Sequence, residues 1–145
     1  MGLREGLLLL VEDNRDDIFF LTRAFARRGH VFPIRVVHDG DEAGAYLAGT
    51  GPHADRRHFP MPTHVLLDLK LPKRSGLEVL AWMKSNPETR HLPAAILSSS
   101  GQSVDVNRAR DLGSDAYWTK PVSYDDLSDL ADRIAEWMAT RRNRE

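Results

Sequence analysis

Short apolar runs alternate along the chain with segments whose apolar residues follow helical spacing. An apolar run of a few residues, bounded by polar or turn residues, is typical of a strand buried on both faces. Five segments fit this description: Leu7–Val11, Ile34–Val37, Val65–Leu67, Ala94–Leu97 and Ala116–Thr119. Strands that alternate with helices predict a parallel sheet covered on both faces, which is an α/β architecture.

Five helices are predicted between and after these strands. The first, Asp16–Arg28, has apolar residues at positions 18, 21 and 25, the spacing of one helical face, and Gly29 can end it. Ser75 and Glu78 have capping-box spacing and open a helix that reaches about residue 85. The others are predicted at Asp41–Ala48 with Asp41 as N-cap, at Ser103–Leu112, and from Ser123 onward.

Residues 49–63 contain two Gly and three Pro without periodicity and predict a long loop. His53, His58 and His64 lie in or beside this loop. Their spacing matches no common metal-ligand motif, and a polar loop accounts for them, so no second metal site is predicted.

Polar residues follow four of the five predicted strands. Glu12 and Asp13 end the first strand, Asp68 the third, Ser98 the fourth and Lys120 the fifth. Each alone is explained as a solvated loop residue, a turn cap or a surface cation. The carboxyl ends of parallel strands share one edge of the sheet, where ligands bind, so their joint occurrence favours a common site.

The residue types at this edge predict phosphoryl-transfer chemistry. Three neighbouring carboxylates repel one another and raise each other's pKa unless a cation lies among them. An oxygen-only cluster suits Mg²⁺. A carboxylate nucleophile beside Mg²⁺, with a lysine and a hydroxyl nearby, can accept a phosphoryl group because the cations stabilise its charge.

Composition narrows the function classes. The chain has 145 residues and a net charge of −1, which argues against a dedicated nucleic-acid binder. It has no cysteine, and its first apolar run is too short for a signal peptide or a membrane span. We therefore expect one cytoplasmic domain over residues 1–145, with a core at about 7–138 and a polar tail at 139–145.

The chain resembles the receiver domain of two-component response regulators. Four segments carry the resemblance: "LLVEDN", "LLDLKLPKRSG", "AILSSS" and "YWTKP". It extends from about Leu7 to Met138 and implies a flavodoxin-like, doubly wound sheet of five parallel strands in the order 2-1-3-4-5 with five helices. It also implies a phosphoprotein of signal transduction that catalyses only its own phosphorylation and dephosphorylation.

The resemblance assigns roles to the residues at the strand ends. Asp68 is the implied phosphoacceptor, and Lys120 contacts the phosphoryl group. Glu12, Asp13, Asp68 and the backbone carbonyl of Lys70 are the implied ligands of Mg²⁺, for which Mn²⁺ can substitute.

Further residues have implied roles in switching and hydrolysis. Ser98 and Tyr117 are the implied switch pair, and the Lys120–Pro121 peptide bond is expected to be cis. Lys70 and Ser100 lie where family members tune hydrolysis of the acyl phosphate. Bulk at the first position, and the lack of a carboxylate or amide at the second, predict a long-lived phosphorylated state.

The implied function is that of a stand-alone receiver without an output domain. A sensor histidine kinase would phosphorylate it, and the similar single-domain receivers include some that partner bacterial phytochromes. Phosphorylation would switch the surface of the fourth helix, fifth strand and fifth helix, through which a homodimer is also expected. Trp137 would anchor such contacts if it were partly exposed. No nucleic-acid or membrane partner is expected.

Several alternatives remain open. The protein could be a phosphorelay intermediate, a phosphate sink, or a degenerate receiver that acts as a scaffold. A phosphohydrolase of the haloacid-dehalogenase type would need a second acid where Lys70 stands. A nucleotide or flavin binder would need a glycine-rich motif after the first strand, where "EDNRDD" stands instead.

Overall fold

The computed structural model describes residues 6–141 and contains a parallel sheet. Its strands are β1 Leu8–Val11, β2 Ile34–Val37, β3 His64–Leu67, β4 Ala94–Ser98 and β5 Tyr117–Thr119. They lie in the order β2-β1-β3-β4-β5, and every neighbouring pair is parallel. The predicted architecture and strand order are confirmed.

Each predicted helix is present within a residue or so of its expected bounds. The helices are α1 Arg15–Arg27, α2 Gly40–Ala48, α3 Gly76–Ser85, α4 Ser103–Asp111 and α5 Tyr124–Thr140. The capping box of α3 is formed as predicted, because Ser75 Oγ accepts from the Glu78 N–H and the Glu78 carboxylate accepts from the Ser75 N–H. Within residues 6–141, no helix is both long and apolar enough to cross a membrane.

The N-cap predicted for α2 was wrong by two residues. The cap is Asp39, whose Oδ1 accepts from the Glu42 N–H at 2.7 Å, while Asp41 lies in the first turn of the helix. Asp39 and Asp41 are both residues of a type that caps helices, and the one whose side chain reaches a free N–H three residues ahead determines where the helix begins.

Both faces of the central strands are buried, which explains why these strands are continuously apolar. Leu8 and Leu10 of β1 point toward α1 and α5, where they pack with Phe25 and Ile134. The residues between and after them point to the other face, against α2 and α3. The two-residue periodicity of a strand thus supplies two hydrophobic cores from one apolar run.

The predicted loop at residues 49–63 contains a 3₁₀ turn, Gly51–His53, and packs against the domain. Arg56 donates to the carbonyl oxygens of Tyr46 and Leu47 at 2.8 and 2.9 Å. These carbonyl groups at the end of α2 thereby gain hydrogen-bond partners. Phe59 and His53 pack against the Tyr46 ring. The loop therefore covers one face of the core.

Trp137 was expected to anchor a dimer if it were partly exposed, but it is buried. Only 8% of it is exposed, and its Nε1 donates to Asp115 Oδ2 at 3.0 Å. Its ring packs edge-on against Trp118 and His64. The residue lies on the face of α5 that covers the sheet, where its apolar surface is removed from water.

Gly76 fixes the loop that follows β3. A Cβ at this position would lie 2.0 Å from the Asp68 carbonyl oxygen, and the Gly76 N–H donates to the Leu69 carbonyl at 2.8 Å. A side chain cannot fit there without displacement of the backbone. The start of α3 and the residue after β3 are thereby held in direct contact.

We expect Gly76→Ala to lower the free energy of unfolding by about 2 kcal/mol or more, because the new methyl group would force backbone atoms apart. Gly101→Ala is the matched control, since the atom nearest its Cβ would be Thr119 Oγ1 at 3.5 Å. Urea denaturation measures both losses. Equal effects of the two substitutions would contradict the role assigned to Gly76.

Candidate functional site

The carboxyl ends of four neighbouring strands, β1, β3, β4 and β5, place the predicted site residues side by side. Backbone hydrogen bonds extend the strand pairing by one residue, from Asp68 N–H to the Val11 carbonyl at 3.1 Å and from Lys120 N–H to the Ser98 carbonyl at 2.8 Å. Glu12 follows β1 directly and donates its N–H to the Val37 carbonyl at 3.0 Å. The sheet therefore fixes the backbone at each of these positions.

The Lys120 ammonium is the centre of the site. Its Nζ lies 2.8 Å from Glu12 Oε1, 2.8 Å from Asp17 Oδ2 and 2.9 Å from Asp68 Oδ2. A lysine ammonium has three N–H donors, so each donor can serve one carboxylate. The structure thus brings Glu12, Asp68 and Lys120 together as predicted.

Asp17 was not among the site residues predicted from the sequence. It stands in the first turn of α1, within the acidic segment "EDNRDD", and nothing in its spacing separates it from Asp16. Its contact with Lys120 depends on where the start of α1 lies relative to the sheet edge. The only available signal was the density of acids after β1.

Burial and ion pairing have opposite effects on the groups of this site. Burial raises the pKa of the Glu12 carboxyl to about 7, although the Lys120 and Asn14 donors act to lower it. Burial by itself would lower the pKa of Lys120, but its hydrogen bonds to Asp17, Glu12 and Asp68 outweigh burial and raise it. The lysine therefore stays charged, while Glu12 titrates near neutral pH.

Three carboxylates at this edge can hold a cation. Glu12, Asp13 and Asp68 each offer an oxygen, and these oxygens lie within 4.8 Å of one another. Glu12 and Asp68 are buried whereas Asp13 is exposed, so the group opens to solvent on one side. A hard oxygen donor set of this kind fits a divalent ion that retains part of its water.

Lys70 lies beside the phosphoacceptor candidate. Its backbone N–H donates to Asp68 Oδ1 at 3.4 Å, a long hydrogen bond that helps orient the carboxylate. The role of its carbonyl oxygen as a metal ligand stays a prediction.

The loop after β4 connects the predicted switch residues. Ser98 is fully buried, and its Oγ accepts from the Ser100 N–H at 3.3 Å. The Tyr117 hydroxyl donates to the Ser100 carbonyl at 2.5 Å. The Ser100 hydroxyl in turn donates to Asp105 Oδ2 at 2.7 Å, so a carboxylate stands next to a position expected to lack one.

The Lys120–Pro121 peptide bond was predicted to be cis, and this prediction was wrong. No peptide bond among residues 6–141 is cis. The trans isomer is lower in energy by about 0.5–1 kcal/mol for a bond to proline. In this isomer the Lys120 side chain reaches all three of its carboxylate partners.

An exposed apolar surface lies beside the site. A cavity of about 240 Å³ between α1 and α5 includes Phe20, Val122 and Tyr124 in its wall and Lys120 at its polar end. Phe20 is 46% exposed, and Val122 is fully exposed. The helical periodicity of α1 did not predict this surface, because Phe20 lies outside the buried face of the helix.

Comparison with known proteins establishes the family. The model of the response regulator receiver domain matches residues 8–132, which is most of the chain. The chain belongs to this family, whose members are phosphoacceptor signalling domains that work with histidine kinases and bind divalent metal at acidic residues.

Two curated relatives are similar to the chain over most of its length. The chain is 36% identical to the probable methanogenesis regulatory protein FilR2 of Methanothrix harundinacea, over 94% of this chain and 86% of that protein. It is 32% identical to the response regulator Rcp1 of Synechocystis sp., over 92% of this chain and 90% of Rcp1.

Solved structures agree with the fold. The phosphorylated cyanobacterial phytochrome response regulator RcpA superposes with a TM-score of 0.86 at 35% identity, over 94% of this chain and 96% of RcpA. A Mn²⁺-bound form of a response regulator Rcp1 superposes with a TM-score of 0.85 at 30% identity, over 97% and 99% of the two chains.

The raised pKa of Glu12 predicts a pH-dependent stability in metal-free protein. The folded-state pKa of about 7 exceeds the ordinary value of 4.5. The contribution of protonated Glu12 to the free energy of unfolding is therefore fully present below pH 4.5 and is lost as pH rises through 7. Between pH 5 and pH 8, we expect wild type to lose about 2 kcal/mol relative to Glu12→Gln.

Urea denaturation in the presence of a chelator, at several pH values, measures this difference. The substitution removes the titrating group but keeps its size, which isolates the contribution of Glu12. Parallel pH profiles for the two proteins would show that Glu12 has an ordinary pKa in the folded state.

Proposed function

We propose that Asp68 accepts a phosphoryl group from a phosphohistidine of a sensor kinase, with Mg²⁺ held by Glu12, Asp13 and Asp68. The observation that carries this proposal is the Lys120 ammonium, 2.9 Å from Asp68 Oδ2 within the same acidic group. The cation supplies charge neutralisation at the phosphoryl oxygens when it is bound. The Lys70 carbonyl is proposed as a further ligand.

The chain's own residues supply the nucleophile and its setting. A carboxylate oxygen of Asp68 attacks phosphorus, the bond from phosphorus to the histidine nitrogen breaks, and the imidazole leaves with the electron pair. Asp68 is 7% exposed, so its position is fixed while one side remains open to the donor. Lys120 offsets the negative charge that builds on the phosphoryl group.

We propose that Ser98 and Tyr117 convert the modification into a change of surface. The Ser98 hydroxyl would turn toward the phosphoryl group, and the loop that carries Ser100 would move with it. That movement would release the Tyr117 hydroxyl from the Ser100 carbonyl, which now holds it at 2.5 Å. The surface formed by α4, β5 and α5 would then present a different face to a partner.

The lifetime of the phosphorylated state is proposed to depend on Lys70 and Ser100. Lys70 is exposed beside Asp68 and can obstruct an attacking water molecule. The Ser100 hydroxyl is engaged by Asp105, which leaves it poorly placed to orient water. A purified phosphoprotein with a half-life of seconds would contradict this part of the proposal.

We propose that the donor is a phytochrome-type histidine kinase. Support comes from two similar structures, the phytochrome response regulator RcpA and the bacteriophytochrome response regulator AtBRR, which are 35% and 36% identical to this chain. The FilR2 relative points instead to a regulator of methanogenesis. We also propose a cytoplasmic location, which accords with a chain that lacks cysteine.

A homodimer through α4, β5 and α5 is part of the same proposal. A groove between β5 and α5 is lined by Asp126, Asp129 and Arg133, beside Tyr117 and Trp118. A symmetry-related copy could pair these opposite charges around the aromatic rings, because a two-fold interface brings the same patch against itself. Light scattering with and without beryllofluoride measures the association.

The phosphoacceptor assignment predicts one phosphoryl group per chain after incubation with Mg²⁺ and acetyl phosphate. Asp68→Asn should take up none, because an amide cannot form the acyl phosphate. Intact mass measures the incorporation. Asp16→Asn is the matched control, since it removes an exposed acid of the neighbouring helix turn and should be phosphorylated like wild type.

If wild type remained unmodified and also failed to bind Mg²⁺ with beryllofluoride, the receiver chemistry would be absent and the scaffold alternative would stand. Modification of Asp68→Asn to the level of wild type would place the phosphoacceptor elsewhere.

The exposed Phe20 predicts a kinase-docking role that is separable from the chemistry. We expect Phe20→Ala to slow phosphoryl transfer from the kinase by about tenfold, because exposed aromatic side chains dominate many interfaces. Its reaction with acetyl phosphate should be unchanged. Val31→Ala, which truncates an 84%-exposed residue in the loop after α1, is the control. Equal loss with both donors would show that Phe20 supports the site itself.

A further inference from the structure

Asp17 pairs with Lys120, and the receiver motifs assign it no role. It lies in the first turn of α1, and its Oδ2 is 2.8 Å from the Lys120 ammonium. That distance equals the one between Lys120 and Glu12. Asp17 is therefore as closely engaged with the lysine as a predicted metal ligand.

Three carboxylates surround the Lys120 ammonium. Its Nζ donates hydrogen bonds to Asp17 and Asp68 and forms an ion pair with Glu12 at 2.8 Å, so a further acceptor would have to displace one of these carboxylates. A phosphoryl group on Asp68 brings new anionic oxygens that need donors. One existing contact must be given up before Lys120 can serve them.

Exposure indicates which contact is released. The side chains of Glu12 and Asp68 are 4% and 9% exposed, whereas that of Asp17 is 43% exposed. A buried carboxylate that loses its partner bears the full desolvation penalty. Asp17 can exchange the ammonium for water, and its place in the first turn of α1 leaves it stabilised by the helix dipole.

We propose that Asp17 competes with the phosphoryl group for Lys120 and so weakens the phosphorylated state. Its carboxylate accepts a hydrogen bond from the ammonium in the unmodified protein. After transfer, its charge remains beside the phosphoryl oxygens, because Asp17 and Asp68 flank the same nitrogen. Asp17 acts through Lys120 and is thus a positioning residue. This inference rests on the proposed phosphoacceptor function.

The test is the affinity of beryllofluoride at saturating Mg²⁺, measured by titration calorimetry. Asp17→Asn keeps the size of the side chain and an oxygen acceptor for Lys120 but removes the charge. We expect it to bind beryllofluoride about fivefold more tightly than wild type, a change that matches the usual strength of a partly exposed ion pair. Asp17→Glu restores the charge and should return the affinity toward that of wild type.

Asp16→Asn is the matched control, because it changes the net charge equally in the same helix turn. It should leave the affinity for beryllofluoride within about twofold of wild type, in keeping with a charge that is not paired with Lys120. The affinity for Mg²⁺ alone, measured for each variant, separates an effect on the metal from an effect on the anion. The two single-charge variants should show the same Mg²⁺ affinity.

Three outcomes would overturn the inference. Equal beryllofluoride affinity of the Asp17→Asn and Asp16→Asn variants would show that the ion pair has no influence on the anion. Weaker binding by Asp17→Asn would show that Asp17 orients Lys120 for the phosphoryl group. Failure of wild type to bind beryllofluoride would overturn the proposed function, and the inference with it.

Discussion

The site depends on one ammonium group that offsets a concentration of buried negative charge. Glu12 and Asp68 stand at the ends of two central strands, where carboxylates would repel each other without a cation. Lys120 reaches both of them from the end of the edge strand β5, and the sheet holds its backbone through the Ser98 carbonyl. Charge balance and strand order are therefore linked, since the lysine meets these acids only because all three strand ends share one edge of the sheet.

The rest of the fold holds this edge rigid while leaving it open. Apolar side chains on both faces of β1 and β3 fix the strands between two layers of helices. Gly76 lets the start of α3 contact the Asp68 carbonyl, so the loop after β3 has little freedom near the carboxylate. The exposed Asp13 and the apolar surface around Phe20 border the open side. A donor protein can approach there without displacement of the core.

Periodicity and residue type predicted the five strands, the five helices and most of the site. The strand ends could be found because apolar runs stop abruptly at Glu12 and Asp68. Features that depend on three-dimensional placement could not be found this way. The pairing of Asp17 with Lys120 requires the position of α1 over the sheet edge. The cap at Asp39 and the burial of Trp137 also depend on local geometry, and the expected cis bond at Pro121 came from family resemblance alone.

The central claim is that Lys120 and the acidic group jointly receive a phosphoryl group on Asp68. A crystal structure of the protein with Mg²⁺ and beryllofluoride tests it most directly. The account predicts beryllium bonded to an Asp68 carboxylate oxygen, a fluoride within hydrogen-bond distance of Lys120 Nζ, and the metal in contact with Glu12, Asp13 and Asp68. An anion bound elsewhere, or a Lys120 side chain turned away from it, would contradict the account.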